Sequence, residues 1–235
     1  MKKLHMILVS MLAMTALSAQ EIQLHYDFGD DREHFTSTIE MFKPDAYGST
    51  FFFVDFNYDV GDMKGVSESY FEIARVFSTP ETRPFGFQIE YNGGHGRFNS
   101  PEAQLAYGIN DAWLAGIDYS VNAPDYSRGL SFKVLYKNIR GKHDDSYQLT
   151  LVWYWHLLDG KVTFRGFADF WREDLDFDFD GETDTEHVFL TEPQLMYNVT
   201  EQFSVGTEIE IGHNFAGNPD KGWQVNPTLF VKYSF

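Results

Sequence analysis

Carboxylate and aromatic side chains alternate with apolar ones in several segments of this chain. In FSVGTEIEIGHN, Glu208 and Glu210 alternate with isoleucines, and in TFFFVDFNYD, Phe53 and Asp55 share one phase of a similar pattern. Carboxylates accept hydrogen bonds from sugar hydroxyl groups, and aromatic faces stack on bases with about 1–3 kcal/mol each. This combination is suited to an uncharged solute with a flat ring and hydroxyl groups, and equally to a small sugar. The candidate solute-contacting residues are Phe53, Asp55, Glu90, Asp169, Glu208 and Glu210.

The same phase also holds cations, so a second interpretation stays open. Lys133, Arg165 and Lys232 fall in it, and charges that face each other inside a small barrel often pair into networks that only brace the wall. The pattern alone does not decide between contact with a solute and bracing.

Catalytic and metal-binding chemistry has little support in the sequence. The eight histidines lack zinc-site spacing, and no G-x-S-x-G motif is present. In DFDFDGETDTEH, Asp176, Asp178 and Asp180 are spaced like the first ligands of an EF-hand loop, but position twelve is His187. We therefore favour a solvated acidic loop over a calcium site and predict no catalytic residue, metal or cofactor.

The elements that would position these residues are strands. Period-two alternation over segments of about ten residues runs through the chain, and ten residues is the length that a tilted strand needs to cross a bilayer. No helical period of useful length appears. The sequence predicts about twelve strands, near 21–28, 34–43, 49–59, 68–78, 85–92, 112–121, 129–138, 146–157, 161–172, 187–198, 202–213 and 223–235.

The connections and the aromatic residues favour one architecture for these strands. Short connections alternate with longer, polar ones, the longest covering residues 92–111, and tyrosines gather at both ends of the apolar faces, as at Tyr58, Tyr91, Tyr197 and Tyr233. Short periplasmic turns, long outer loops and two aromatic girdles are typical of outer-membrane barrels. We predict an all-β, transmembrane, antiparallel up-and-down β-barrel.

Some residues fit this barrel only in particular places. Glu72 and Arg75 fall in opposite phases of one strand, so we expect Glu72 to face the lumen and Arg75 to lie near the periplasmic rim, because outward charge at mid-membrane is costly. Pro193 and Pro227 lie inside predicted strands, where each removes a hydrogen-bond donor, so we expect bulges there.

The N-terminus and the net charge bound the location and the partners. Residues 1–19 have two lysines, an apolar run and small residues, which predicts a secretory signal peptide and a barrel over 20–235. Without Lys2 and Lys3 the formal charge goes from −17 to −19. Such an acidic chain is not expected to bind nucleic acid.

Several segments resemble one known family. TFFFVDFNYD, FRGFADFWRED, FLTEPQLMYNVTEQFSVGTEIEIGHNFAG and QVNPTLFVKYSF are similar in pattern to successive segments of the nucleoside-specific, channel-forming outer-membrane porins of the Tsx type. The resemblance implies a narrow twelve-stranded barrel that passes nucleosides. It also implies that the terminal Phe235 is read by the outer-membrane insertion machinery.

These observations predict a passive channel for small polar solutes, most of all nucleosides, in the outer membrane of a Gram-negative-type bacterium. Its partners would be the solute, the lipid bilayer and the insertion machinery. Two alternatives remain at this point. One is a barrel enzyme acting on lipid or a bound ligand, with His25 or His156 as its base, and the other is a soluble, exported β-barrel ligand binder.

Overall fold

The computed structural model describes residues 19–29, 32–142, 146–175, 184–215 and 222–235. Within them, the strands are β1 Ala19–Asp27, β2 Phe35–Asp45, β3 Gly48–Tyr58, β4 Val66–Phe77, β5 Phe85–Asn99, β6 Gln104–Asn122, β7 Arg128–Ile139, β8 Ser146–Leu157, β9 Val162–Leu175, β10 Asp184–Thr191, β11 Gln194–Asn198, β12 Phe203–His213 and β13 Trp223–Ser234. Among these residues, no helix is long and apolar enough to cross a membrane.

The strands form one closed antiparallel barrel. Successive strands of the chain pair with each other except β10 and β11, and β1 pairs with β13, with Ile22 opposite Tyr233. The segments β10 and β11 both lie between β9 and β12, so they are two halves of one interrupted strand. The thirteen segments therefore make a twelve-stranded barrel, and the predicted fold is confirmed.

Pro193 causes the interruption. A proline has no N–H group to donate to the ladder, and here the chain leaves the regular register at residues 192–193. The Glu192 amide donates to the Phe167 carbonyl at 3.2 Å, and the Ile209 amide donates to the Pro193 carbonyl at 3.2 Å. The irregularity expected at Pro193 is thus present, as a break between two short strands.

At Pro227 the expected bulge is absent. The register between β12 and β13 passes through the pair Ile209–Pro227 without a shift. On its other side, Pro227 accepts a hydrogen bond from the amide of Phe28 at 2.9 Å, one residue beyond the end of β1. The missing donor of Pro227 therefore falls where the β1 ladder has already ended, and no distortion is needed.

The outer face of the barrel is apolar. In β1, Ile22 and Leu24 are 40% and 44% exposed, whereas Gln23 and His25, which alternate with them, are almost fully buried. Trp113 and Leu229 are each 58% exposed on the same outer surface. A belt of exposed aliphatic and aromatic side chains around a closed barrel is a surface for lipid, because water would not favour it.

The charged residues of β4 lie where they were expected. Glu72 faces the lumen. Arg75 lies close to the turn after β2, where its guanidinium contacts the Asp45 carboxylate at 2.7 Å and lies over the Phe77 ring. This turn is at the end of the barrel that carries the short connections, called the periplasmic end below.

The prediction of a long loop over residues 92–111 is wrong. In the structure β5 continues to Asn99, β6 begins at Gln104, and only a short turn joins them. The pairing passes from Asn92–Ala112 to Gly94–Ile109, so β6 contains one extra residue. Such a bulge reverses the phase of the alternation on one strand, which hides the outer half of the hairpin from a search for regular alternation.

Candidate functional site: the barrel lumen

One cavity of about 2450 Å³ fills the barrel interior. At the outer end its lining includes Asn57, Tyr107 and Gln224, and at the periplasmic end it includes Tyr126 and Lys161. The cavity therefore reaches from the outer connections to the short turns. A barrel of eight strands is filled by side chains, whereas twelve strands leave room for a narrow lumen.

The six predicted solute-contacting residues all line this cavity. They come from four sides of the wall: Phe53 and Asp55 from β3, Glu90 from β5, Asp169 from β9, and Glu208 and Glu210 from β12. The alternation in the sequence placed them correctly because inward and outward positions alternate along every strand. A role in contacting a solute remains a proposal.

The lining is strongly acidic. Among the described lining residues, fourteen are Asp or Glu and seven are Lys or Arg, which leaves an excess of seven negative charges when all are ionised. Charges of one sign inside low-dielectric walls focus the field along a channel. With all of these groups ionised, the lumen attracts cations and repels anions.

A cross-lumen network surrounds Arg165 of β9. Its guanidinium donates to the Glu21 carboxylate of β1, contacts the Glu40 carboxylate of β2 at 3.3 Å, and donates to the Gln194 side chain at 2.8 Å. The Lys232 ammonium binds the other oxygen of Glu21 at 3.1 Å. The strands of Arg165 and Glu21 are not neighbours, so this network crosses the interior and narrows it.

Sequence reasoning missed Glu21 and Arg32 as lumen residues. Glu21 has the same phase as Gln23, so the alternation of β1 contained the signal. Arg32 lies in the connection between β1 and β2, and its guanidinium reaches back to the Asp27 carboxylate at 2.8 Å and the Glu210 carboxylate at 2.5 Å. No alternation applies to a connection, so nothing in the sequence pattern pointed to Arg32.

Other lumen carboxylates accept hydrogen bonds from neutral groups. Asp55 accepts one from Thr38 at 2.5 Å, Glu90 accepts one from Gln88 at 2.6 Å, and Asp169 accepts one from Thr150 at 2.5 Å. Within the described part of the chain, none of the three forms an ion pair with Lys or Arg. Their carboxylate oxygens are therefore not engaged by a Lys or Arg side chain and can accept further hydrogen bonds from a solute in the lumen.

The histidines suggested for the enzyme alternative are held in place by neighbours. His25 Nδ1 lies 3.1 Å from the Thr228 hydroxyl, His25 Nε2 lies 3.1 Å from Gln23 Oε1, and the ring stacks on Phe230 with centroids 4.8 Å apart. Glu208 is 3.6 Å from His25 Nδ1. Both ring nitrogens of His25 are therefore engaged with neighbouring side chains. His156 Nδ1 lies 3.0 Å from the Thr163 hydroxyl.

Among the described residues, no group of three or more His, Cys, Asp or Glu side chains is arranged to hold a metal ion. The acidic loop with Asp176, Asp178 and Asp180 lies outside the described residues, so the expectation for it stays untested.

Solved structures that share this fold include two porins. The KdgM porin in complex with disordered oligogalacturonate matches with a TM-score of 0.51 at 11% identity, over 92% of this chain and 99% of that one. The NanC porin matches with a TM-score of 0.57 at 9% identity, over 92% of this chain and 100% of that one. At such low identities the likeness concerns the fold. A closed antiparallel barrel with an apolar belt is the architecture of outer-membrane proteins, and the chain is a protein of that membrane in Gram-negative bacteria.

Comparison of the sequence with families gives one match, which covers the whole of the described barrel. No curated protein matches the chain. A family model described as "Domain of unknown function (DUF5020)" matches residues 19–235, which include every described strand. The chain therefore belongs to the DUF5020 family.

Proposed function

We propose that the protein is a passive outer-membrane channel for small polar solutes. The observation that carries the proposal is the lumen itself, a cavity of about 2450 Å³ that reaches both ends of the barrel. Its wall offers hydrogen-bonding and aromatic side chains. A gradient across the membrane drives uptake through such a lumen, and no chemical step or cofactor is required.

Charge narrows the class of solute. An excess of seven negative charges in the lining favours neutral and cationic solutes over anions. Oligogalacturonate, named with the KdgM porin, is an acidic sugar chain, and this lumen would repel it. The proposed solutes therefore differ from the ligand recorded for that barrel.

Nucleosides are the proposed solutes within this class. A nucleoside is uncharged, with a flat base and a hydroxylated sugar. The lining supplies Phe53 as an aromatic face and Asp55, Glu90 and Asp169 as hydrogen-bond acceptors. The resemblance of several segments to nucleoside-specific porins supports the same choice. The six residues proposed to contact the solute are those predicted from the sequence.

Reconstitution in liposomes tests the proposal. Liposomes that contain the purified protein should take up adenosine and glucose faster than protein-free liposomes do. They should also take up adenosine faster than adenosine 5′-monophosphate, which carries negative charge. The double variant Asp55→Ala/Glu208→Ala should reduce the discrimination between adenosine and the monophosphate. Absence of flux for every solute, with the protein inserted, would refute the channel. Equal flux of adenosine and the monophosphate would refute its charge selectivity.

A further inference from the structure

The β5–β6 hairpin carries an apolar surface above the lumen. Its outer half extends to Asn99 and Gln104, past the bulge in β6. Tyr107 and Ile109 on this half line the cavity at its outer end. Leu105 lies two residues from Tyr107, and Phe98 lies opposite Leu105, so both continue the same face. We call Phe98, Leu105, Tyr107 and Ile109 the outer platform.

The Tyr107 ring is held flat in this platform. The register places Glu68, Gly96 and Tyr107 side by side on three neighbouring strands. The hydroxyl of Tyr107 donates to the Glu68 carboxylate, so the ring crosses over Gly96 to reach it. A Cβ atom added at Gly96 would overlap the ring. The glycine thus provides the space in which the aromatic ring lies against the backbone.

A chain of hydrogen bonds fixes the position of Glu68 in turn. The second carboxylate oxygen of Glu68 accepts a hydrogen bond from the side-chain amide of Asn57 at 2.9 Å. The side-chain oxygen Oδ1 of Asn57 accepts one in turn from the Thr36 hydroxyl at 2.7 Å. Four strands of the barrel therefore contribute to holding one ring. An aromatic ring positioned before a ligand arrives loses little entropy when it binds.

The platform remains open on its other side. Tyr107 is 41% exposed, Phe98 is 44% exposed and Leu105 is 45% exposed. The centroids of the Phe98 and Tyr107 rings lie 6.1 Å apart. The membrane belt does not explain this exposure, because Tyr107 and Ile109 face the cavity. Exposed, pre-positioned aromatic surface at the entrance to a lumen is suited to the flat ring of a solute.

We propose that the outer platform is a capture site, where the flat ring of a solute stacks on Tyr107 before the solute enters the acidic lumen. This inference rests on the proposed channel function and adds a site that precedes the lumen residues. The chemical class of the ligand is an uncharged or cationic solute with a planar ring, because Glu68 lies at the edge of the platform and repels anions.

The test compares adenosine with ribose, which has the same sugar and no base, in the liposome assay. In the wild-type channel, flux of adenosine should saturate at lower concentration than flux of ribose. Because only one face of Tyr107 is open, the lower end of the usual stacking range applies. Tyr107→Ala should therefore raise the half-saturating adenosine concentration about fivefold, with ribose flux unchanged. Tyr107→Phe should keep most of the wild-type behaviour, since it keeps the ring.

Two further variants complete the test. Gly96→Ala displaces the ring without removing it and should weaken adenosine saturation in the same direction, which also covers the case that Tyr107→Ala fails to fold. Tyr47→Ala is the matched control, because Tyr47 lies in a periplasmic turn and is 70% exposed. Unchanged adenosine saturation in both platform variants, with ribose still passing, would overturn the capture site alone. Absence of ribose and adenosine flux in the wild type would overturn the channel.

Discussion

At the scale of single residues, Arg165 of β9 links to Glu21 of β1 and Glu40 of β2, strands that are not its neighbours in the barrel. Its side chain is 20% exposed, and the Glu21 side chain that it contacts is only 5% exposed. Loss of one partner from a buried ion pair leaves an uncompensated charge and commonly costs 3–5 kcal/mol. Because this network borders a lumen, we expect a smaller loss here.

Arg165→Ala should therefore lower the free energy of unfolding by about 2–3 kcal/mol and raise single-channel conductance, because the side chain that crosses the lumen is removed. Urea unfolding of the reconstituted barrel and planar-bilayer recording measure the two effects. Arg165→Lys serves as the control, since it keeps the charge but loses the forked geometry, and it should fall between the wild type and the alanine variant. Unchanged conductance in Arg165→Ala would show that this network does not narrow the lumen.

Residue chemistry of this kind was only partly visible in the sequence. Alternation assigned Arg165 and Lys232 to the lumen, and the structure places both there together with Glu40. It did not reveal that they meet, because Arg165 and Glu40 are 125 positions apart and contact each other only through closure of the barrel. Period two identifies the face of a strand, whereas pairing across a lumen depends on curvature.

At the scale of elements, the interrupted strand β10–β11 depends on close packing with β9. A Cβ atom added at Gly166 would lie 2.7 Å from the Glu192 carbonyl oxygen and 2.8 Å from the Trp153 ring. The break at Pro193 brings Glu192 into the lumen, near Glu208 and Asp55. Gly166 therefore leaves the space that the irregular backbone needs.

Gly166→Ala should destabilise the barrel by about 1–3 kcal/mol, because an overpacked site forces its neighbours to move. The measurement is urea unfolding in lipid or detergent. Gly108→Ala is the matched control, since its added Cβ atom would meet nothing within 4 Å, and it should leave stability nearly unchanged. Equal free energies of unfolding for the two variants would mean that the residues around Pro193 accommodate the added Cβ atom without destabilising the barrel.

The elements themselves were largely predictable. Nine of the twelve barrel strands were placed as single segments close to their observed bounds, β5 and β6 were placed but too short, and the irregularity of the remaining strand was expected at Pro193. The hairpin of β5 and β6 was predicted too short, because the bulge near Asn92 and Ala112 changes the phase of one strand and the glycines that follow give no side-chain signal. A pattern search loses a strand where the pleat is locally irregular.

At the scale of the whole molecule, the barrel separates two environments by alternation. Apolar side chains cover the outside, and fourteen carboxylates face seven cations inside. Several of the cations are already bound to carboxylates, as Arg32 is to Asp27 and Glu210. The remaining negative charge belongs to the lumen as a whole, so its effect should appear in ion selectivity more than in any single contact.

The electrostatic field of these lumen charges predicts a preference for cations that depends on the salt concentration. The Debye length is about 10 Å at 0.1 M salt and about 3 Å at 1 M, so lumen charges act across the bore at the lower concentration and are screened at the higher one. Reversal potentials across a KCl gradient should show a clear preference for K⁺ near 0.1 M that weakens near 1 M. A variant with Asp55→Asn, Glu90→Gln, Asp169→Asn and Glu208→Gln should lose most of this dependence, since it removes four of the seven excess charges. A K⁺ preference that is equal at both concentrations would show that the long-range field of the lumen carboxylates does not set the selectivity, and the carboxylates would then act as braces of the wall.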